Sequence, residues 1–328
     1  MRVLLTGGAG FIGSHGVREF LDAGHAVVVL DDLSAGHRAA VPAGVPLFVG
    51  DLADRDVVDR ALHGVEAVVH FAGVLDVGES VRAPLKYWRI NLQKGVALLE
   101  AMVEAGVRRM IFSSTCATYG APREVPIDES HPQDPINPYG QSKRAFERAL
   151  ADLAAAGVLR AVALRYFNAA GAHPDGSLGE DHDPEIHLIP LAIDAALGRR
   201  PALTIFGDDY DTPDGTCIRD YIHVQDLAIA HLLALAALDD GQAFRAYNLG
   251  TETGHSVREV LAAVGEVAGT AVPAAVGPRR AGDPPRLVAS AGRIRSELGF
   301  KPRHSLRAVV ETALRWRRGH PNGYGEVR

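Results

Sequence analysis

Through the first half of the chain, short apolar runs alternate with longer stretches whose apolar positions recur at helical spacing. Residues 3–6, 26–31, 46–50, 67–71, 109–113 and 160–166 read as strands. Val27-Val28-Val29-Leu30 and Ala67-Val68-Val69 are apolar at consecutive positions. That pattern suits parallel strands covered on both faces. Residues 11–23, 54–62, 84–106 and 139–156 read as the intervening helices. Gly24, Gly64, Gly106 and Gly157 stand just past them as stop signals. Repeated strand–helix units predict an α/β fold, a doubly wound parallel sheet with right-handed crossovers.

The rhythm changes after Phe167. Residues 171–185 are rich in Gly, Pro, Asp and His and predict a long loop. A helix at 186–197 and a strand at 203–206 follow, then a polar loop at 208–215. A helix at 224–238 and a strand at 246–249 are expected to rejoin the first unit. Helices are expected at 257–268, 293–298 and 306–317. The expected organisation is a Rossmann-type domain over residues 1–170, rejoined by about 220–250, and a smaller mixed α/β substrate lobe over 171–328.

Composition narrows the function classes. The 328 residues are 47% hydrophobic and 23% charged, with a net charge of −6. That balance offers no basic face for nucleic acid or an anionic membrane. No apolar run approaches the ~20 residues of a membrane span. Cys116 and Cys217 form no disulfide framework or CxxC pair, and no leader-like stretch precedes Gly7, so a cytoplasmic location is expected.

Candidate chemistry begins at Gly7, Gly10 and Gly13, which follow the first strand and open the first helix through Phe11 and Ile12. Strand, glycine turn and helix N-terminus together form a cradle for a dinucleotide pyrophosphate. Asp31 ends the second strand, with Asp32 and Ser34 in the turn after it. A carboxylate at Asp31 accepts ribose hydroxyls and repels a 2′-phosphate, which favours NAD over NADP; a turn cap is the plain alternative. Asp51, followed by Leu52, can accept from an adenine amino group or cap the next helix. Ligands of open α/β sheets bind beyond the carboxyl ends of the strands, so residues 7–13, 31–36, 51–52, 72–73, 114–118 and 168–171 are expected to line one crevice. Tyr139 and Lys143 stand four apart, on one helix face. A neighbouring ammonium favours the phenolate, so Tyr139 reads as a general base. His182 and His187 flank Glu185 at a spacing that fits no usual metal site, and no metal is expected. The cysteines read as small buried residues.

Gly7-x-x-Gly10-x-x-Gly13, Phe71-Ala72-Gly73, Ser113-Ser114-Thr115 and Tyr139-x-x-x-Lys143 together resemble the extended short-chain dehydrogenase/reductase family. Val77-Gly-Glu-Ser80, Tyr119-Gly120, Leu164-Arg-Tyr-Phe-Asn168, Gly171-Ala-His-Pro174, Arg219-Asp-Tyr-Ile-His-Val224, Tyr247-Asn-Leu-Gly250 and Arg280-Ala-Gly-Asp283 narrow the likeness to its UDP-glucose 4-epimerases, over nearly the whole chain. The resemblance implies an NAD cofactor, a UDP-sugar substrate and a homodimer built on helices 84–106 and 139–156. Those helices carry Leu92, Val96, Leu99, Val103, Phe146, Leu150 and Leu153; part of this set must face the sheet, and the rest would supply the contact.

It also implies roles. Tyr139 is the base, Lys143 holds the nicotinamide ribose, and Thr115 bonds the sugar 4-oxygen. Phe167 and Asn91 lie near the nicotinamide, with Phe71, Ala72 and Gly73 along the cofactor. Asn168, His187 and Leu188 line the diphosphate-sugar region. Thr204, Ile205 and Phe206 flank the uridine, Arg219 and Arg280 hold the diphosphate, and Asp283 meets the uridine ribose. The chain departs from the pattern in three places, the first being Asn91-Leu-Gln-Lys94-Gly95 where some members read Asn-Val-x-Gly. The lysine that relatives carry three residues after the Phe-Ala-Gly glycine is missing, with Leu75 two past Gly73. Leu287 replaces the bulkier gate that some epimerases place over the sugar C2 group, which implies partial admission of N-acetylated sugars.

Related dehydratases place an acidic pair directly after the Ser/Thr; here Cys116, Ala117 and Thr118 follow Thr115. Elimination chemistry lacks its groups, whereas reversible oxidation at C4, rotation of the 4-keto sugar and reduction on the opposite face need none of them. The alternatives are a 4-epimerase of UDP-GlcNAc, a uronate or a pentose, a net NAD-dependent oxidoreductase, or a dinucleotide sensor. A sensor has no need of the Thr115, Tyr139 and Lys143 set.

Overall fold

The computed structural model describes residues 1–280 and 282–325. Ala281 of the Arg280–Asp283 motif and residues 326–328 of the expected second lobe lie outside the described residues.

Alternation along the first strands decides the architecture. In β1 (Arg2–Thr6), Leu4 faces one side of the sheet together with Val28 and Leu30 of β2 (Ala26–Asp31). Val3 and Leu5 face the other side with Val27 and Val29. Both sides are buried, so each needs its own layer of helices. Helices Arg55–Leu62, Lys94–Glu104 and Pro138–Ala155 cover the first side. Helices Phe11–Asp22 and Val224–Ala237 cover the second.

The sheet is completed by β3 (Leu47–Val49), β4 (Ala67–His70), β5 (Arg109–Thr115), β6 (Arg160–Tyr166) and a late strand, Phe244–Leu249, that pairs with β6. All its pairings are parallel. The chain grows outward from β1 through β2 to β3, then returns to place β4 on the other side of β1. The crevice of such a sheet opens where the order reverses, at the carboxyl ends of β1 and β4.

A second, mixed sheet forms on strands that the pattern along the chain does not predict. Its centre is Ile218–His223, which pairs in parallel with Asn168–Ala170 and Arg286–Leu287 and antiparallel with Gly254–Ser256. Leu203–Phe206 pairs separately with Ala274–Gly277. Helices Leu188–Ala196, Val257–Ala268 and Leu306–Gly319 close a core around Ile193, Ile205, Val264 and Val310. The helix predicted over 84–106 is broken into a turn at Pro84–Tyr87, a π-helical stretch at Trp88–Gln93 and a regular helix at Lys94–Glu104. A further short helix, Val77–Arg82, precedes them. Of the apolar residues on the helices expected to carry a dimer contact, Leu99, Phe146 and Leu150 are the part that faces the sheet and packs into this chain's own core.

Asp220 joins the two sheets. Its buried carboxylate accepts hydrogen bonds from Thr251 N (2.8 Å), Thr251 Oγ1 (2.7 Å), Glu252 N (3.1 Å) and Ala289 N (3.2 Å). Asp220→Ala would leave the N–H groups of Thr251, Glu252 and Ala289 without this acceptor, at roughly 1–3 kcal/mol for each one that water cannot reach. We expect urea denaturation to show a loss of at least about 2 kcal/mol; an unchanged midpoint would contradict this role.

Candidate active site

The glycine turn is shaped by contact between backbones. Gly7 takes a φ of +71°, and a Cβ there would sit 2.5 Å from Ala72 N. A Cβ on Gly13 would sit 2.0 Å from Gly7 O. Gly10 caps the helix Phe11–Asp22 without a side-chain hydrogen bond, and no acidic residue occupies the first turn. The helix end therefore offers its N–H groups and positive dipole to the crevice, as an anionic diphosphate requires. Asp31 holds the turn from below: Oδ2 accepts from Ala9 N and Oδ1 from Leu33 N, both at 2.9 Å. Asp31 thus caps the loop and also lines the cleft. Burial raises its pKa against the pull of those bonds. Asp32 Oδ1 accepts from Ser34 N and Oγ and sets the next turn.

A single cleft of about 1220 Å³ runs from this cradle to the second sheet. It is lined by every residue predicted to bind cofactor or substrate except Asn91. Asn91 is 2% exposed and lies behind the wall. Its carboxamide donates to Val74 O (3.0 Å) and Ser142 Oγ (3.2 Å) and accepts from Val74 N (2.9 Å). It positions the loop after Gly73 rather than facing the cleft.

Tyr139 and Lys143 come from the start of helix Pro138–Ala155. Asn137 caps that helix, accepting from Gly140 N at 2.8 Å, and Pro138 occupies its first turn. Tyr139 is 9% exposed and lies beside Thr115, at the end of β5. Burial raises the phenol's pKa, and the Thr115 contact opposes this only in part. Burial thus outweighs the effect expected of the ammonium; Lys143 Nζ donates to Ser113 O at 3.0 Å and lies 4.9 Å from the Phe112 ring centroid. Burial lowers Lys143 to about 8, while Glu147 pulls it back up. Glu147 is itself tied to Arg165 by Nε contacts of 3.1 Å and an Nη2 contact of 2.6 Å, and also accepts from Ser114 Oγ. That buried pair is a firm support, since removing one partner strands the other's charge.

On the far wall, Thr204 and Phe206 alternate outward while Ile205 turns into the core. Arg280 stacks 4.0 Å over the Phe206 ring. Arg219 pairs with Asp283 and donates to Ile218 O at 2.8 Å. Asn168 donates to Asp220 O at 2.9 Å. Cys116 and Cys217 both line the cleft, and burial pushes the Cys116 thiol up to about 12.

Sequence spacing misses two cationic contributors. Lys94 pairs with Asp51 across the cofactor end of the cleft, and Arg82 lines it nearby. Lys94 is separated from Asp51 by 43 positions, beyond the reach of a local motif. Spacing also misses Glu180, which joins His182, Glu185 and His187 on the wall.

The family model of the NAD dependent epimerase/dehydratase family matches residues 3–250. The chain belongs to that family. Among relatives of this epimerase/dehydratase, a UDP-glucose 4-epimerase of Azospirillum brasilense is 53% identical over 99% of this chain and 94% of its own length. The structure of UDP-glucose 4-epimerase from Brucella ovis in complex with NAD is similar at a TM-score of 0.93 and 48% identity, covering 100% of this chain and 99% of that one. The Bifidobacterium longum enzyme in complex with NAD+ and UDP is similar at 0.94 and 39%, over 98% of this chain and 100% of that one.

Lys143 yields a pH test. Below about pH 8 the native and unfolded states both carry the ammonium, and the burial penalty is present in full. Between about 8 and the ordinary 10.5, only the unfolded state keeps the proton, so stability climbs with pH. Denaturation should show the unfolding free energy of the native protein rising across that window relative to Lys143→Met. A flat difference would mean that the ammonium carries no such penalty.

Proposed function

We propose that this chain is an NAD-dependent UDP-glucose 4-epimerase that interconverts UDP-glucose and UDP-galactose. The observation that carries this reading is the meeting of Thr115, Tyr139 and Lys143 in the cleft that begins at the glycine cradle. None of Cys116, Ala117 and Thr118, directly after Thr115, carries a carboxyl, and the Cys116 thiol stays protonated near neutral pH. Proton transfer to and from an alcohol is available there; elimination is not.

The cradle, Asp31 and the Asp51–Lys94 pair would hold NAD, with Phe167 and Lys143 at its nicotinamide end. Bound NAD supplies a reversible acceptor for the hydrogen on sugar C4. Tyr139 exchanges the proton of the sugar 4-hydroxyl, and the Thr115 hydroxyl orients that oxygen. Lys143 holds the ribose, and a positive charge at the nicotinamide end would act against the burial that keeps Tyr139 neutral. Arg219 and Arg280 grip the diphosphate by charge-assisted bonds, while Asp283, Thr204 and Phe206 seat the uridine. A firm hold on the nucleotide leaves the 4-keto sugar free to turn and present its other face to Tyr139. A homodimer would use the exposed Val103 and Leu85 and the half-buried Leu92, Val96 and Leu153. Among the described residues, no helix is long and apolar enough to cross a membrane.

Purified protein given UDP-galactose and no added cofactor should form UDP-glucose without net NADH absorbance. Tyr139→Phe should lower turnover by about 10²–10⁴-fold, the usual value of a positioned acid–base group. Net NADH, or a 4-keto-6-deoxy product, would overturn the assignment.

Leu287 pairs in register with Arg219 and lines the cleft. Leu287→Tyr should lower kcat/KM for UDP-GlcNAc about tenfold relative to UDP-galactose. An unchanged ratio would remove the gate.

A further inference from the structure

The loop that leads into helix Leu188–Ala196 carries four side chains that converge on one point. One nitrogen or oxygen from each of Glu180, His182, Glu185 and His187 lies within 4.8 Å of all the others. His182 Nδ1 stands 3.2 Å from Glu180 Oε1 and 3.7 Å from Glu185 Oε2. His187 Nδ1 stands 2.6 Å from Glu180 Oε1 and 3.3 Å from Glu185 Oε1. Glu180 is 4% exposed, and its Oε1 points into the cluster with no hydrogen bond. His182 Nδ1, Glu185 Oε2 and His187 Nδ1 are also buried without one. Ion-pair distance is present, but hydrogen-bond geometry is not.

We propose that Glu180, His182, Glu185 and His187 form a closed four-ligand site for one divalent cation of the zinc class. Two imidazoles and two carboxylates are a donor set that suits zinc, and the carboxylates balance the charge of one dication. Tetrahedral zinc with ligands at about 2.0–2.2 Å spaces its donor atoms about 3.3–3.6 Å apart. With Glu185 Oε2 as its ligand atom, both His182 separations fall near that range. The shorter His187–Glu180 pair must open slightly to admit the ion. Outer support is already in place, because Glu185 Oε1 accepts from Ile186 N (2.8 Å) and His187 N (2.9 Å).

Four protein ligands leave no open position, which marks a structural ion rather than a catalytic one. The His182 ring meets Phe11 edge-on at 6.3 Å, so the ion would brace the loop against the first residue of the cradle helix. The second lobe's wall would thereby be held at a set distance from the cofactor end.

The test uses the full-length protein with its bound cofactor, stripped of metal by a chelator and titrated with Zn²⁺ against a chromophoric competitor. We expect one tight equivalent, with affinity reduced more than ~100-fold in Glu180→Gln and in His182→Gln, beyond the 10–100-fold typical of an outer partner. Zn²⁺ should raise the Tm of the native protein and not of the variants. Should either variant fold poorly, Co²⁺ bound to the native protein must show the visible bands of a four-coordinate ion. No tight equivalent, equal binding by the folded variants, or a six-coordinate Co²⁺ spectrum would overturn the proposal.

Discussion

Backbone packed on backbone at the carboxyl end of β1 is the constraint from which the rest of the site follows. Gly13 lies against Gly7, and Gly7 against Ala72, at separations that no Cβ could share. This contact draws the first helix down onto the sheet at the point where strand order reverses. It also aims that helix's N-terminus into the cleft. Asp31 then fastens the loop by its two backbone bonds. An anion can approach peptide N–H groups there without meeting a side chain.

The second governing fact is desolvation. Burial drives Tyr139 and Lys143 in the same chemical direction, each toward its neutral form. For the phenol that means a raised pKa; for the ammonium, a lowered one. The protein offsets this behind the site rather than in it. Glu147 stabilises the ammonium from within a buried network with Arg165 and Ser114. A positive charge brought up to the phenol would complete the balance, which ties acid–base competence to cofactor binding. A site tuned this way is poorly reactive alone, a useful property for an enzyme that handles a keto sugar.

Local chemistry made much of this legible. The glycine turn, Asp31 and the Tyr139–Lys143 pair each lie within a few residues of a recognisable strand or helix boundary, so spacing and periodicity reveal them. The parallel sheet shows for the same reason, since Val27 to Leu30 must be buried on both faces. The central strand of the second sheet is hidden because its polar residues have structural duties. Arg219 pairs with Asp283, and Asp220 binds backbone across the sheet, so Arg219-Asp220-Tyr221 carries no apolar run. The break at Trp88–Gln93 has no proline or glycine to announce it. Lys94, Glu147 and Glu180 reach their partners through tertiary contacts. The resemblance puts Asn91 near the nicotinamide, but its buried bonds to Val74 and Ser142, which hold the loop after Gly73, are tertiary and carry no signal in the sequence.

Epimerisation by transient oxidation requires that the hydrogen leaving sugar C4 return to the same carbon within one turnover. UDP-galactose carrying deuterium at C4, converted in ordinary water with unlabelled NAD added in excess, measures this directly. Full retention of deuterium at C4 of the UDP-glucose formed is the predicted result. Loss of the label to water, or its appearance in the free nucleotide pool, would contradict it.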